Sequence, residues 1–329
     1  MTNSSPVKLI FGAGGIGEGR ISHTWVNGEQ ASELLEVLKE LDLLELDSGA
    51  AYPPGSPWVT EGLLGESKAV QKGFLVDTKI LPQGPQGGLG LSEAGIDASV
   101  KKSFELLGVD QVNILYSHVP DEKVPVEESA RAFDKHYRAG RFKQLGLCNY
   151  STAQMKEWLE ICEKHNYVKP TIYQGHYNAI KRTAEEDLYP LLRQHGIKIF
   201  AYGPLAGGFL TGKVSLATEA STLSGGRWEP GRFPIYPEAF GKPATHNAMI
   251  EFCKKSEAAG LTPTEVSLRW IMHHSVLRKG DAIILGATKI DQLRSNVELC
   301  KKGPLSEDMI EACEELWKKV ASSMNELFG

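Results

Sequence analysis

The chain has 329 residues, 41% hydrophobic and 23% charged, which are ordinary globular proportions. Its net charge of −5, with Lys and Arg spread along the chain, excludes the basic face that nucleic-acid binding requires. The start "MTNSSPVK" lacks a signal-peptide layout, no apolar run approaches the roughly 18 residues of a membrane span, and the five cysteines are scattered with no C-x-x-C, so a cytoplasmic protein with reduced thiols is expected.

Short apolar runs alternate with helical patterns from the first residues onward. "KLIFG" (8–12) predicts a strand, and "NGEQASELLEVLKEL" a helix with Ala31, Leu34, Leu35, Leu38 and Leu41 on one face. Asn27 and Gln30 form a capping box for that helix. Strand "LLELD" (43–47), a helix near 60–70 and strand "FLVDTK" (74–79) follow. A helix near 93–107 carries Ile96, Val100, Phe104 and Leu107 on one face. Then come strand "QVNILYSH" (111–118), a helix near 125–139, strand "FKQLGLCN" (142–149) and a helix near 152–165. Strand "PTIYQ" (170–174), a helix near 184–195 and strand "IKIFAYG" (197–203) continue the rhythm. A long irregular stretch leads to a helix near 246–259, then to one from about 263 opened by Thr262, Pro263 and Glu265. Strand "DAIILG" (281–286) and helices near 289–301 and 306–322 close the chain.

Eight strands alternating with helices, with no linker or change in composition, predict a (β/α)8 barrel. It is read as a single domain over 1–329, with long substrate loops at the C-terminal rim.

Gly12, Gly14 and Gly17 spell G-x-G-x-x-G, but "EGRISHTWVNG" after them has no helical face. A dinucleotide fingerprint needs a helix opening at the last glycines. The stretch therefore reads as a flexible turn at the exit of the first strand.

Chemistry in a barrel sits at the C-terminal ends of its strands. Asp47, with Tyr52 five residues on, ends the second strand, Lys79 the third and His118 the fourth. Asn149, Gln174 and Tyr202 end the next three. A Lys ammonium beside a phenol favours the phenolate and lowers its pKa. Asp47 would hold Lys79 charged, and His118 would bond the phenol or the same carbonyl oxygen. That set donates a proton to an oxygen gaining negative charge, as hydride addition to a carbonyl requires.

The motifs "LDSGAAY" (46–52), "TK" (78–79), "LYSHVPD" (115–121), "GLCNYS" (146–151), "YQGHYN" (173–178), "AYGPLAGGFLTGK" (201–213) and "LGATKIDQLRSN" (285–296) resemble the aldo-keto reductases. "LRWIMHHS" (268–275) and "RWEPGRF" (227–233) resemble that family's aflatoxin aldehyde reductase branch. The resemblance implies NADPH-dependent reduction of aldehydes, including dicarbonyls or carboxylated aldehydes such as succinic semialdehyde. It implies a catalytic tetrad of Asp47, Tyr52, Lys79 and His118, with Tyr52 as general acid. It places Asn149 and Gln174 on the carboxamide of NADP(H) and Tyr202 against the nicotinamide. The phosphates and adenosine fall to Gly203, Leu205, Gly207 and Lys213, and to Gly286, Ala287, Thr288, Gln292 and Asn296. Gly12 and Ala13 come to the nicotinamide end. The implied partner is a small carbonyl substrate, and a homodimer is left open.

Four positions depart from the family pattern. Cys148 stands where Ser is common, Ser295 where an acid or amide is frequent, and Ala13 and Gly14 where the branch has bulkier residues, which predicts a roomier nicotinamide end. Thr288, Lys289, Gln292 and Arg294 are expected near a 2′-phosphate, with Asp291 facing solvent. In "SGGRWEPGRFPIY" (224–236), a mobile lid, Arg227 and Arg232 would form a fork for a carboxylate and Trp228 a face for an apolar body. The same arginines could instead be solvated or bind cofactor phosphates.

Other readings stand beside this one: a non-catalytic cofactor-sensing subunit on the same barrel, a redox sensor using Cys148, or a metal-dependent hydrolase. The last lacks an H-x-H after an early strand, and adjacent His273 and His274 point apart on a helix, so no metal is expected.

Overall fold

The computed structural model describes residues 7–20, 22–84, 87–217, 227–229 and 235–321. Its first strand, β1 (Lys8–Gly12), is followed by a short hairpin, β2 (Gly17–Gly19) and β3 (Ser22–Thr24). The remaining strands are β4 (Glu45–Asp47), β5 (Leu75–Lys79), β6 (Val112–Ser117), β7 (Phe142–Cys148), β8 (Ile172–His176), β9 (Lys198–Tyr202) and β10 (Ala282–Leu285). β1 and β4–β10 form a closed parallel barrel. β1 closes the ring by pairing Phe11 with Leu46 of β4 and Ile10 with Ile284 of β10.

The strands read as near-continuous apolar runs because both faces are buried. Ile10, Ile114, Tyr116, Cys148, Ile172, Phe200 and Ile284 fill the barrel. Phe11, Leu46, Leu115 and Leu147 belong to the larger core that includes helical side chains. The outer ring consists of α1 (Gly28–Glu40), α2 (Val59–Glu66), α3 (Glu93–Leu107), α4 (Val126–Arg138), α5 (Thr152–His165) and α6 (Leu188–Gln194). The later helices are α7 (Lys213–Leu216), α8 (Ile235–Phe240), α9 (Pro243–Ala258), α10 (Pro263–His273), α11 (Ile290–Lys301) and α12 (Glu307–Ala321). In α1 the predicted face, Ala31, Leu34, Leu35 and Leu38, is buried, at about 1.5–3 kcal/mol for each leucine. Asn27 caps it by accepting from the Gln30 amide, but the Gln30 side chain returns its bond to Val26 N–H rather than to Asn27.

The stretch expected to be a flexible turn is instead pinned. Residues 13–15 form a 3-10 turn that leads into the β2–β3 hairpin. The Ser22 and Thr24 hydroxyls both donate to the Gly15 carbonyl, and Thr60 Oγ1 donates to the Ile16 carbonyl at 2.8 Å. The Thr60 bond joins residues distant in sequence, so no local pattern announced it. Two boundaries also move. β8 runs on to His176, paired with Tyr202, so Gln174 lies mid-strand, and α9 starts at Pro243, where proline suits a first turn.

Among the described residues no helix is long and apolar enough to cross a membrane. All five cysteines are free and buried.

Candidate active site

Strand period two turns alternate side chains into the barrel. Asp47 and Lys79, at the ends of neighbouring β4 and β5, therefore enter the mouth together. Lys79 is fully buried and donates from Nζ to Asp47 Oδ1 at 2.6 Å and to the Ser48 carbonyl at 2.7 Å. Gln174 Nε2 donates to the same Asp47 oxygen at 2.7 Å. Tyr52 lies in the loop after β4. Its N–H donates to the Gly49 carbonyl, and its own carbonyl accepts from Thr60 N. Lys79 Nζ stands 4.8 Å from the centre of the Tyr52 ring, and the His118 ring meets that ring edge-on at 5.4 Å. All four predicted residues thus converge from three consecutive barrel strands and their loops.

Their electrostatics differ from expectation at one point. Burial pushes the Tyr52 phenol up to about 12, and the opposing pull of Lys79 does not cancel it. A lysine close by was expected to lower it, but the loss of water outweighs the lysine here. Burial would lower the Lys79 ammonium, yet Asp47, then Tyr52 and Cys148, hold it above its ordinary range. His118 is pulled down to about 3 by burial and then by Lys79, so its ring is neutral, and Nδ1 finds no partner among the described residues. Burial raises the Cys148 thiol well above its usual range, which disfavours the thiolate a redox sensor needs.

The neighbouring strands supply the residues expected to face a cofactor. Asn149 takes a left-handed conformation (φ 62°) after β7, a conformation Asn tolerates better than most residues. Its Nδ2 donates to the His118 carbonyl at 3.1 Å, and its Oδ1 accepts from Tyr202 OH at 2.9 Å. Tyr202 stacks on His176, centroids 5.2 Å apart and planes at 17°. Gly203 begins the next loop with φ 66°, and a Cβ there would lie 2.6 Å from the His176 ring. That loop continues through half-buried Leu205 and a 3-10 segment, Ala206–Thr211, in which Gly207 and Gly208 have positive φ. Lys213 is exposed at its end.

Across the mouth, Gly286 and Thr288 are exposed, Ala287 is buried, and Thr288 N–H donates to Gln292 Oε1. Asn296 is 4% exposed, and its Nδ2 has no partner among the described residues. Asp291 faces solvent, as expected. Arg294, expected near a 2′-phosphate, is paired with Glu40 of α1. Trp228, expected to offer a face to substrate, is buried. Its Nε1 donates to the Gly207 carbonyl at 3.2 Å, and its ring packs on Phe209 at 5.4 Å. Arg227 lies 5.8 Å from the Tyr236 ring centre, and Arg232 lies outside the described residues.

Three buried acids close to Asp47 and Lys79 were not singled out from the sequence. Glu45 and Asp77 each lie two residues before a tetrad member, so period two alone would have put them on the same inward face. Asp77 accepts from Asn113 Nδ2 at 2.8 Å, while burial and then Glu45 and Asp47 raise its carboxyl well above the usual range. Glu61 of α2 accepts from the Thr78 hydroxyl and, at 3.1 Å, from Ser103. Burial lifts it to about 7 against these bonds. His176 carried no signal, since its role depends on Tyr202 across the strand pair.

The sequence model of the aldo/keto reductase family matches residues 8–318. The chain is 35% identical over 293 residues to an aldo-keto reductase of Pseudocercospora fijiensis, covering 87% of this chain and 97% of that one. It is 33% identical over 285 residues to aflatoxin B1 aldehyde reductase member 2 of Homo sapiens, covering 84% and 79%. With an oxidoreductase of Leptosphaeria maculans the identity is 34% over 323 residues, covering 95% and 94%.

Proposed function

This chain belongs to the aldo/keto reductase family, and from that premise we propose that it reduces aldehydes to alcohols with NADPH, Tyr52 acting as general acid. The observation that carries the reading is the buried Asp47–Lys79 pair set against the Tyr52 ring. The phenol holds its proton at neutral pH and gives it to the carbonyl oxygen as negative charge develops there. Lys79, locked by Asp47, supplies the positive field that stabilises the resulting phenolate. Neutral His118 offers a ring nitrogen to the same oxygen.

The residues fit a nicotinamide dinucleotide. Asn296 holds a buried amide without a described partner, and a Cβ at Gly286 would meet nothing within 4 Å. Asn149 and Gln174 carry carboxamides beside the tetrad. The bound cofactor supplies the hydride that the carbonyl carbon accepts. Exposed Thr288, Lys289 and Gln292 at the start of α11 support NADPH over NADH, since a charge-assisted contact adds about 1.5–3 kcal/mol.

The aldehyde class follows relatives named aflatoxin B1 aldehyde reductases, and we include dicarbonyls and carboxylated aldehydes such as succinic semialdehyde in it. The same reading takes residues 1–329 as one barrel domain and the cytoplasm as its compartment. Oxidation of NADPH by the purified chain, followed at 340 nm (about 10 mM succinic semialdehyde or 4-nitrobenzaldehyde), tests it. Cofactor binding without turnover on any aldehyde would identify a cofactor-sensing subunit instead. Equal dissociation constants for NADPH and NADH would refute the phosphate reading.

A further inference from the structure

Lys79 Nζ meets a second ring besides that of Tyr52. It stands 4.8 Å from the Tyr52 centroid and lies over Tyr116, 5.4 Å from that centroid. Both distances fall within the roughly 6 Å over which a ring face attracts a cation. Tyr116 reaches this place by register. It pairs with Lys79 across β5 and β6, and paired residues project to the same face of the sheet. It is fully buried inside the barrel. Its hydroxyl has no partner among the described residues, so no hydrogen bond from it explains how the ring is held. Burial, then Asp77 and Asp47, raise its phenol well above the usual range, so the ring that Lys79 meets is neutral.

The seat of that ring is a glycine. On its other side Tyr116 pairs with Gly146 of β7. A Cβ on Gly146 would stand 2.1 Å from Cδ1 and 2.2 Å from Cε1 of the Tyr116 ring. Gly146 has no positive φ, so the ring and not the backbone demands glycine there. An ammonium has three donors, and two of those on Lys79 go to Asp47 and the Ser48 carbonyl. These bonds hold Nζ from the β4 side, and the Tyr116 ring holds it from the β6 side.

We propose that Tyr116 is a positioning residue for the reduction: seated on Gly146, its ring face holds the Lys79 ammonium beside Tyr52. As Tyr52 gives up its proton, the phenolate then forms next to a charge that cannot withdraw. The inference rests on the carbonyl reduction proposed above.

The test follows kcat and KM for 4-nitrobenzaldehyde, with saturating NADPH, in wild type, Tyr116→Leu, Tyr116→Phe and a chain carrying 3,4,5-trifluorophenylalanine at position 116. Tyr116→Leu should lower kcat at least about fivefold, the order of factor that a desolvated cation–π contact carries. The aldehyde KM and the NADPH affinity should stay as they are. Tyr116→Phe keeps the ring face and should rescue most of that loss. The trifluorinated ring keeps the shape but drains the negative face, so kcat should fall back toward that of Tyr116→Leu. This comparison serves also if Tyr116→Leu does not fold. Gly146→Ala, which unseats the ring, should lower kcat beside Tyr116 but not beside Tyr116→Leu. In a Tyr52→Phe background the fluorinated ring should cost nothing further, because no phenolate forms there. Equal kcat for the plain and fluorinated rings, or the same fluorine effect in Tyr52→Phe, would overturn the role of Tyr116 and leave the reaction standing. Wild type reducing no aldehyde would overturn the reaction and this inference with it.

Discussion

Lys79 Nζ and Asp47 Oδ1 lie 2.6 Å apart in the mouth of the barrel, the lysine fully buried and the aspartate nearly so. Asp47→Asn leaves the ammonium buried without its counter-charge. Such breaks cost about 3–5 kcal/mol, whereas replacing both partners with apolar groups of similar volume costs far less. Urea unfolding of Asp47→Asn beside the double change Asp47→Leu with Lys79→Met should show the single variant to be the less stable. The reverse order would mean that the pair is not isolated from water.

Tyr52→Phe removes the proposed proton donor and keeps the ring that packs against Lys79 and His118. Turnover on saturating aldehyde should fall roughly 10²–10⁴-fold, with NADPH affinity unchanged. Near-normal turnover would assign the proton to another group.

Reduction should show no histidine limb near neutrality. Burial and Lys79 hold His118 at about 3, and burial holds Tyr52 at about 12, so neither changes charge between them. With cofactor and aldehyde saturating, kcat should be level from about pH 5 to about pH 9. An inflection near pH 6–7 that disappears in His118→Asn would show that the imidazole titrates there.

Glu61 links stability to pH. Its carboxyl is raised from 4.5 to about 7 by burial, so the folded state holds this proton more tightly than the unfolded chain. The contribution is fully present below pH 4.5 and is lost as pH rises to about 7. The amount is roughly 3 kcal/mol at 1.36 kcal/mol per pKa unit. The difference in unfolding free energy between wild type and Glu61→Gln should therefore fall with pH across that window, measured by urea titration at each pH. A pH-independent difference would place the carboxyl at its ordinary value.

The period-two and period-3.6 patterns made the barrel legible in the sequence. The strands from "FLVDTK" to "DAIILG" appear within a few residues of where their apolar runs predict, and the helix over 152–165 falls on its predicted residues. That Asp47, Lys79 and His118 meet at one mouth was legible for the same reason, because a strand end in a parallel barrel has one destination. The hairpin at 17–24 was not, because strands of three residues are too short to carry a periodic signal. Nor was the inward orientation of Trp228, which depends on Gly207 and Phe209 from a separate loop.

The sequence alone determined which side chains point into the mouth, since side-chain direction is a local property of strand and helix geometry. The tertiary structure decided what those side chains feel there. Whether Lys79 or burial governs the Tyr52 phenol depends on how much water the closed barrel excludes, and the balance went to burial. Which glycines of "GAGGIG" the fold needs depends on Val59 and Ile284, contributed by distant segments. Charge, burial and free volume are sums over neighbours that meet only when the ring closes, and no window of sequence contains them.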